Sequence, residues 1–151
     1  MRMPMLLTLV AGLLVLAGCY RETVPDYGPA VRSLDTALEQ ARSTDRNVLV
    51  IYGSDSCPWS RSFERNTLAD ADVREALGSF VVLLLEKGEN SADFEKAWGN
   101  PPTPSVVTLG PDGKPLGTML SGVVKKDGFL TYTAWAKSGT GPQPAIAVGG
   151  G

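Results

Sequence analysis

Two fully apolar runs, each of strand length and separated by a helical segment, constrain the fold of this chain more than any other feature. The first, residues 48–52 (VLVIY), is rich in β-branched residues and ends at Gly53, and the second covers residues 80–85 (FVVLLL). A strand with one face in water alternates apolar and polar residues, whereas a strand buried on both faces is apolar throughout. The two runs therefore predict a parallel sheet that lies between layers of helices.

The remaining elements follow from helical spacing and turn residues. Leu34, Ala37, Leu38 and Ala41 recur at i, i+3, i+4 and i+7 behind Ser33, a good N-cap, which predicts a helix over residues 33–44. Four more helices are predicted, over residues 58–68, 70–77, 91–98 and 125–137. A hairpin is predicted from residues 104–109 to 115–121 around a proline and glycine turn. The expected fold class is α/β, with a central mixed sheet of about four strands flanked by helices in three layers.

The composition excludes several classes of function. Sixteen acidic and fourteen basic residues give a nearly neutral chain without a basic run, so no nucleic-acid partner is expected. The chain has no histidine, which removes Ser-His-Asp and Cys-His catalysis and zinc sites that need imidazole, and its two cysteines alone cannot hold a structural zinc. We expect no metal site and no cofactor, and any chemistry must rest on a thiol, carboxylates, hydroxyls or backbone groups.

Residues 1–18 have the anatomy of a secretory signal peptide, with Arg2, an apolar run over residues 5–16 and small residues before Cys19. The run is shorter than the ~20 apolar residues that span a bilayer. Residues 16–19 (LAGC) resemble the bacterial lipobox, whose cysteine is acylated and becomes the mature N-terminus, so Cys19 is the expected lipidation site. An ordinary secretory signal with a chance cysteine and an uncleaved anchor are the alternatives.

Two further segments are assigned by composition. Residues 19–32 are predicted to form the lipidated N-terminus and a polar tether, and residues 138–151, rich in Gly, Pro and Ala, to form a disordered tail. Multiple acyl chains would anchor the protein to a membrane of the cell envelope. Tyr20, rather than aspartate, follows Cys19, and this resembles Gram-negative lipoproteins sorted to the outer membrane, where the domain would face the periplasm.

Three motifs of the domain are taken together. The first apolar run leads into residues 57–60 (CPWS) at a helix start, Thr103-Pro104 leads into the hairpin strand, and residues 111–114 (PDGK) form its turn. In their order and spacing, residues 33–137 resemble the thioredoxin-like superfamily, which has a Cys-x-x-Cys at the first position, a cis-proline beside the active thiol at the second and, in exported members, a similar turn at the third. The resemblance implies a thioredoxin-like fold and a cis Pro104, and the residues alone also allow a trans proline that opens an edge strand.

Departures from the superfamily pattern bear on function. Ser60 stands where the second cysteine is usual, Ile51 where thioredoxins place a buried aspartate, and Ser56 where a tryptophan precedes the first cysteine. If Cys19 is acylated, Cys57 has no partner for a disulfide within the chain. The expected site is therefore a monothiol.

The predicted helix start gives Cys57 a chemical role as the nucleophile. Backbone N–H groups there stabilise a thiolate, and the Ser60 hydroxyl, one turn on, is expected to donate to the sulfur. We assign substrate binding to the residues around the thiol, namely Pro58, Trp59, Thr103 and Pro104. The alternatives are a Cys57 that is a small buried hydrophobe and a Trp59 that covers the core.

Four other side chains are not assigned to the site. Asp55 and Glu64 are predicted to be solvated charges, and Trp98 and Trp135 to belong to the core.

Two hypotheses of function follow. The first is a membrane-anchored protein that acts on thiols or disulfides of exported proteins by isomerisation, deglutathionylation or mixed-disulfide capture, with an external thiol as reductant. A single cysteine forms a mixed disulfide but cannot resolve it, which is why net reduction is disfavoured. The alternative is a catalytically inactive binding or scaffold module of the envelope.

Overall fold

The computed structural model describes residues 30–150 of the chain. The predicted signal peptide, the lipidation of Cys19 and most of the predicted tether lie outside the described residues. Within residues 30–150, no helix is both long and apolar enough to cross a membrane.

The helices and strands follow the predicted order, with one added pair of short strands. The elements are α1 (Leu34–Thr44), β1 (Val48–Gly53), α2 (Pro58–Phe63), a π-helical turn (Glu64–Leu68), α3 (Ala71–Leu77), β2 (Val81–Glu86), α4 (Ala92–Trp98), β3 (Ser105–Leu109), β4 (Leu120–Ser121), β5 (Val123–Val124), α5 (Lys126–Ser138) and β6 (Val148–Gly149).

The central sheet has four strands in the order β2-β1-β3-β4. β1 pairs with β2 in parallel and with β3 in antiparallel, so the sheet is mixed, as predicted. The register places Tyr52, near the end of β1, opposite Ser105, at the start of β3. The segment that follows β1 therefore meets the segment that precedes β3 at the same end of these two neighbouring strands.

Alternate residues of β1 face two separate apolar clusters, because successive side chains of a strand point to opposite faces. Leu49 and Ile51 pack with residues of α2, α3 and α5, whereas Val48, Val50 and Tyr52 pack with residues of α1 and α4. The sheet thus lies between two helical layers, which confirms the predicted three-layer α/β fold.

The helix predicted over residues 58–68 is an α-helix only as far as Phe63. After Phe63 it widens into a π-helical turn, in which the Ala69 N–H donates to the Glu64 carbonyl oxygen at 2.9 Å. The buried Thr67 hydroxyl donates to the Val124 carbonyl oxygen at 2.7 Å. The turn therefore ties this helix to β5.

The predicted hairpin is shorter than expected. Leu109 forms an isolated bridge with Pro115, and the regular pairing of β3 with β4 involves only Leu120 and Ser121. Between them, the Thr118 N–H donates to the Gln143 side chain at 2.7 Å instead of to β3. Where the chain leaves the sheet, a side chain from a distant segment thus satisfies one backbone N–H group.

The structure differs from the predicted disordered tail over residues 138–151. Residues up to 138 continue α5, and the following segment lies against the domain. The Trp135 indole N–H donates to the Gly141 carbonyl oxygen at 3.2 Å, Ile146 packs against the core, and β6 pairs with β5. These anchors are tertiary contacts, which a composition rich in Gly, Pro and Ala does not reveal.

The predicted tether, residues 19–32, also ends earlier than expected. Val31 forms a parallel bridge with Leu83 at the outer edge of β2. Its N–H donates to the Val82 carbonyl oxygen, and its carbonyl oxygen accepts from the Leu84 N–H, both at 2.9 Å. The ordered domain therefore begins before α1.

Candidate active site

Cys57 lies at the junction between β1 and α2. It has extended backbone angles and is the N-cap of α2, and its N–H donates to the Ser54 carbonyl oxygen at 2.9 Å. Pro58 occupies the first helical position, where the missing N–H costs nothing because that group would have no helical partner. The Cys57 side chain is partly exposed and is the free thiol of the described residues, so it is not a fully buried hydrophobe.

The predicted Thr103–Pro104 pair lies beside the thiol. The peptide bond between the two residues is cis, and the Cys57 Sγ lies 3.4 Å from the Thr103 carbonyl oxygen, to which its S–H donates. Because β1 and β3 are antiparallel neighbours, residues 46 positions apart in sequence meet at this point. The structure thus brings together Cys57, Thr103 and Pro104.

The surroundings of the sulfur favour its ionised form. Burial by itself would raise the pKa of Cys57, but hydrogen bonds from the Thr103 side chain, from the N–H and hydroxyl of Ser60 and from the Trp59 N–H outweigh it, and the pKa is lowered from its ordinary value. Donors stabilise a thiolate because the negative sulfur accepts more strongly than the neutral thiol does. The sulfur is therefore placed to act as a nucleophile.

Ser60 is buried, with 1% of its surface exposed, directly behind the thiol. Its Oγ accepts from the Ser54 N–H at 3.1 Å, and its hydroxyl is among the donors that lower the pKa of Cys57. A hydroxyl has one proton, so fixing its acceptor side orients that proton. Sequence reasoning missed Ser54, which carries no signal beyond its position after β1.

Pro58 and Trp59 lie on the open side of the site. Pro58 is exposed, and 49% of the Trp59 surface is exposed, so Trp59 does not cover the core. Trp98 and Trp135, predicted to be core residues, are partly buried and pack against Phe94 and Tyr132, respectively. Of the three tryptophans, Trp59 is therefore the exposed one, and it follows Cys57 by two residues in the chain.

Glu64 is half-buried rather than solvated, which corrects the prediction. Burial raises the pKa of Glu64, and repulsion from Asp55 and Glu86 adds to the effect. A Cβ on Gly53 would lie 3.6 Å from the Ser60 Oγ and 4.0 Å from the Glu64 Oε1, so both side chains lie over this glycine. The burial of Glu64 comes from contacts between separate elements, and no local pattern in the sequence indicates it.

Two other predictions about the surroundings can be compared with the structure. Asp55 is exposed, as predicted, and its N–H donates to the Glu86 Oε1 at 2.8 Å. Ile51, at the position of the usual aspartate, is buried in the apolar cluster. Within residues 30–150, no three His, Cys, Asp or Glu side chains are grouped as they would be to hold a metal ion.

The fold and the site define a thioredoxin-like domain with a single cysteine at the start of α2. The family model described as the thioredoxin-like domain matches residues 34–136, more than half of the chain. The chain therefore belongs to the thioredoxin-like family.

The chain is also similar to a protein with a named activity. The thiol:disulfide interchange protein DsbD 2 of Pseudomonas aeruginosa is 32% identical over 103 residues, which cover 66% of this chain and 18% of that protein. The chain thus spans less than a fifth of the length of the relative.

Solved structures agree on the fold. A thioredoxin from Thermus thermophilus matches with a TM-score of 0.61 and 25% identity, over 68% of this chain and 82% of the thioredoxin. The reduced C-terminal domain of DsbD from Neisseria meningitidis matches with a TM-score of 0.58 and 22% identity, over 69% of this chain and 94% of that domain. The second likeness is of fold alone.

Replacing Ser60 tests the hydrogen bond to the sulfur. Ser60→Ala is expected to raise the pKa of Cys57, because the thiolate loses a hydrogen bond that stabilises the charged form more than the neutral thiol. The pKa is read from the pH dependence of alkylation of Cys57. Ser62→Ala, in the same helix, is the control, because the Ser62 hydroxyl accepts from Asn66. Equal pKa values in the two variants would contradict the assignment.

Glu64 makes the stability of the domain depend on pH. Its raised pKa means that the folded state holds this proton more tightly than the unfolded state, so stability falls as the pH rises from the ordinary glutamate value through the raised one. Glu64→Gln is therefore expected to stabilise the protein at pH 7 and to have little effect near pH 4, as measured by urea unfolding. The exposed Glu75→Gln is the control. A Glu64→Gln variant less stable than wild type at pH 7 would refute this prediction.

Proposed function

We propose that this protein is a membrane-anchored thiol–disulfide exchange protein that acts on exported proteins through a single nucleophilic cysteine, Cys57. One observation carries the proposal. The partly exposed Cys57 Sγ lies at the start of α2, 3.4 Å from the Thr103 carbonyl oxygen and next to the cis Pro104, and the hydrogen bonds that the sulfur accepts from other groups lower its pKa. A thiolate is the form of cysteine that attacks disulfides.

The chemistry available to one thiol is half of a dithiol cycle. The Cys57 thiolate attacks one sulfur of a substrate disulfide, a new bond forms between Cys57 and that sulfur, and the second substrate sulfur leaves as a thiolate. Ser60 cannot complete the cycle because a hydroxyl does not displace a thiolate from a disulfide. The mixed disulfide is released when another thiol of the substrate or an external thiol attacks it. Isomerisation, deglutathionylation and capture of partners all follow this scheme.

The surface around the thiol suits an extended polypeptide substrate. Pro58 and Trp59 follow Cys57 in the chain and are exposed, whereas the partly exposed Thr103 and the buried Pro104 lie next to the sulfur through the Thr103 carbonyl oxygen. Extended segments bind through their backbone to such edges, with side chains in neighbouring pockets. We assign Pro58, Trp59, Thr103 and Pro104 to substrate binding on this basis.

The relatives support thiol–disulfide chemistry as the general activity. One of them is named a thiol:disulfide interchange protein, and the present chain covers 18% of it. We carry over to this chain only the exchange chemistry, with exported thiol proteins and an external thiol reductant as partners.

The location follows from the sequence. Residues 1–18 have signal-peptide anatomy, and Cys19 stands at the lipidation position of a lipobox-like motif. We infer attachment to the cell envelope through acyl chains on Cys19, and in a Gram-negative host an outer-membrane protein facing the periplasm.

The test uses the full chain in detergent with glutathione disulfide. We expect one glutathione bound to Cys57, seen by mass spectrometry, that persists until a small thiol is added. Ser60→Cys is expected to release the glutathione without added thiol, because a second cysteine one turn away closes an internal disulfide. Ser62→Cys is the matched control and is expected to retain the adduct. A wild-type Cys57 that forms no adduct would exclude the exchange activity and favour an inactive binding module.

A further inference from the structure

Residues 143–150, here called the strap, cross the surface next to the thiol. They follow α5 and run past β5 to the ring of Trp59. The exchange chemistry proposed above gives this segment no role. Its contacts nevertheless include β5 and Trp59, which are close to the site.

The first half of the strap is anchored firmly. The Gln143 side chain accepts from the Thr118 N–H at 2.7 Å, and Ile146 packs against the core cluster. Gly128 of α5 makes room for Ile146, because a Cβ on Gly128 would lie 3.3 Å from the Ile146 Cγ2. The strap is thereby held at a fixed place on the domain.

The second half of the strap adds a strand beside the site. Val148 and Gly149 form β6 and pair with Val124 and Val123 of β5. The neighbouring Gly122 has a φ of 117°, and a Cβ there would lie 3.1 Å from the Gly150 carbonyl oxygen. The Gly122 N–H donates to the Pro104 carbonyl oxygen at 2.8 Å, so the strap lies against a residue that is hydrogen-bonded to the thiol site.

Gly150 lies against the ring of Trp59. A Cβ on Gly150 would lie 2.6 Å from the Trp59 Cε3, and the φ of this glycine is +72°. Any residue other than glycine at this position would therefore require the backbone or the Trp59 ring to move. The strap thus contacts the same aromatic side chain that we assign to substrate binding.

This part of the strap is held weakly. Its pairing with β5 covers two residues on each strand, and 45% of the Val148 surface stays exposed. Backbone pairing at a strand edge does not depend on side-chain identity, so another extended segment can make the same hydrogen bonds. A longer segment that also covers Trp59 would displace residues 148–150 while Gln143 and Ile146 stay in place.

We propose that the edge of β5 and the ring of Trp59 form a docking surface for an extended segment of the substrate protein, and that the strap occupies this surface as an intramolecular competitor. The proposal rests on the proposed function in that the bound segment would carry the thiol or disulfide that reacts with Cys57. It adds that access for polypeptides, but not for small reagents, depends on release of residues 148–150.

Two variants release this half of the strap. A chain that ends at Ala147 lacks β6 and Gly150 and keeps both anchors, and Gly150→Ala places a methyl group against Trp59. Gly141→Ala is the matched control, because this glycine also has a positive φ, +78°, but nothing lies within 4 Å of its Cβ position.

The experiment compares a peptide with a small reagent. The peptide has seven residues, alternating Thr and Val with a central Cys, and carries a thionitrobenzoate disulfide whose release is followed by absorbance. Both releasing variants are expected to react with the peptide about tenfold faster than wild type, whereas the rate with iodoacetamide and the rates of Gly141→Ala are expected to be unchanged. Equal peptide rates in wild type and in both releasing variants would overturn the competitor role of the strap and leave the exchange function standing.

Binding without chemistry separates the two proposals. The same peptide with Ser in place of Cys is titrated into each protein, and the indole signal of Trp59 is followed by NMR. The chain that ends at Ala147 is expected to bind about tenfold more tightly than wild type, which corresponds to about 1.4 kcal/mol. If the shortened chain binds more tightly but Cys57 proves unreactive, only the exchange function is refuted. If the shortened chain and wild type bind the peptide with equal affinity, the docking surface is refuted.

Discussion

The antiparallel pairing of β1 with β3 is the constraint on which the site depends. The pairing sets Tyr52 opposite Ser105, so the loop that leaves β1 and the loop that enters β3 must meet. Cys57 and Thr103 lie in these two loops, and the distance from the Cys57 Sγ to the Thr103 carbonyl oxygen is 3.4 Å. β1 is buried between two helical layers, and a slip of one residue would exchange the side chains that pack into its two apolar clusters, so packing favours this register. The position of the thiol therefore follows from the core.

Much of the fold and part of the site could be predicted from the sequence because they depend on local patterns. The apolar runs of β1 and β2 and the Cys57-Pro58 step at a helix start all carry local signals, and the resemblance supplied the cis Pro104. The burial of Glu64 over Gly53 and the pairing of β6 with β5 depend on contacts between distant residues. Neither has a periodic pattern, so composition alone indicated a solvated charge and a disordered tail.

The site has one reactive group, the Cys57 thiol, and several neighbouring groups that affect its pKa. The Ser60 hydroxyl accepts from the Ser54 N–H and is among the groups that lower the pKa of Cys57, and it offers no second thiol. Ile51 fills the place of the usual aspartate with apolar surface. Under the proposed function, such a site would form mixed disulfides and leave their release to other thiols, and the proposed docking surface at Trp59 would select the partners.

The central claim is that the hydrogen bonds around Cys57 lower the pKa of its thiol below that of an ordinary cysteine. Titrating the full chain in detergent while following the ultraviolet absorbance of the thiolate, with Cys57→Ser as the blank, measures this directly. The account predicts a titration midpoint clearly below the value of about 8.5 for an ordinary cysteine. A midpoint at or above that value would contradict the account, because the hydrogen bonds to the sulfur would then not favour its reactive form.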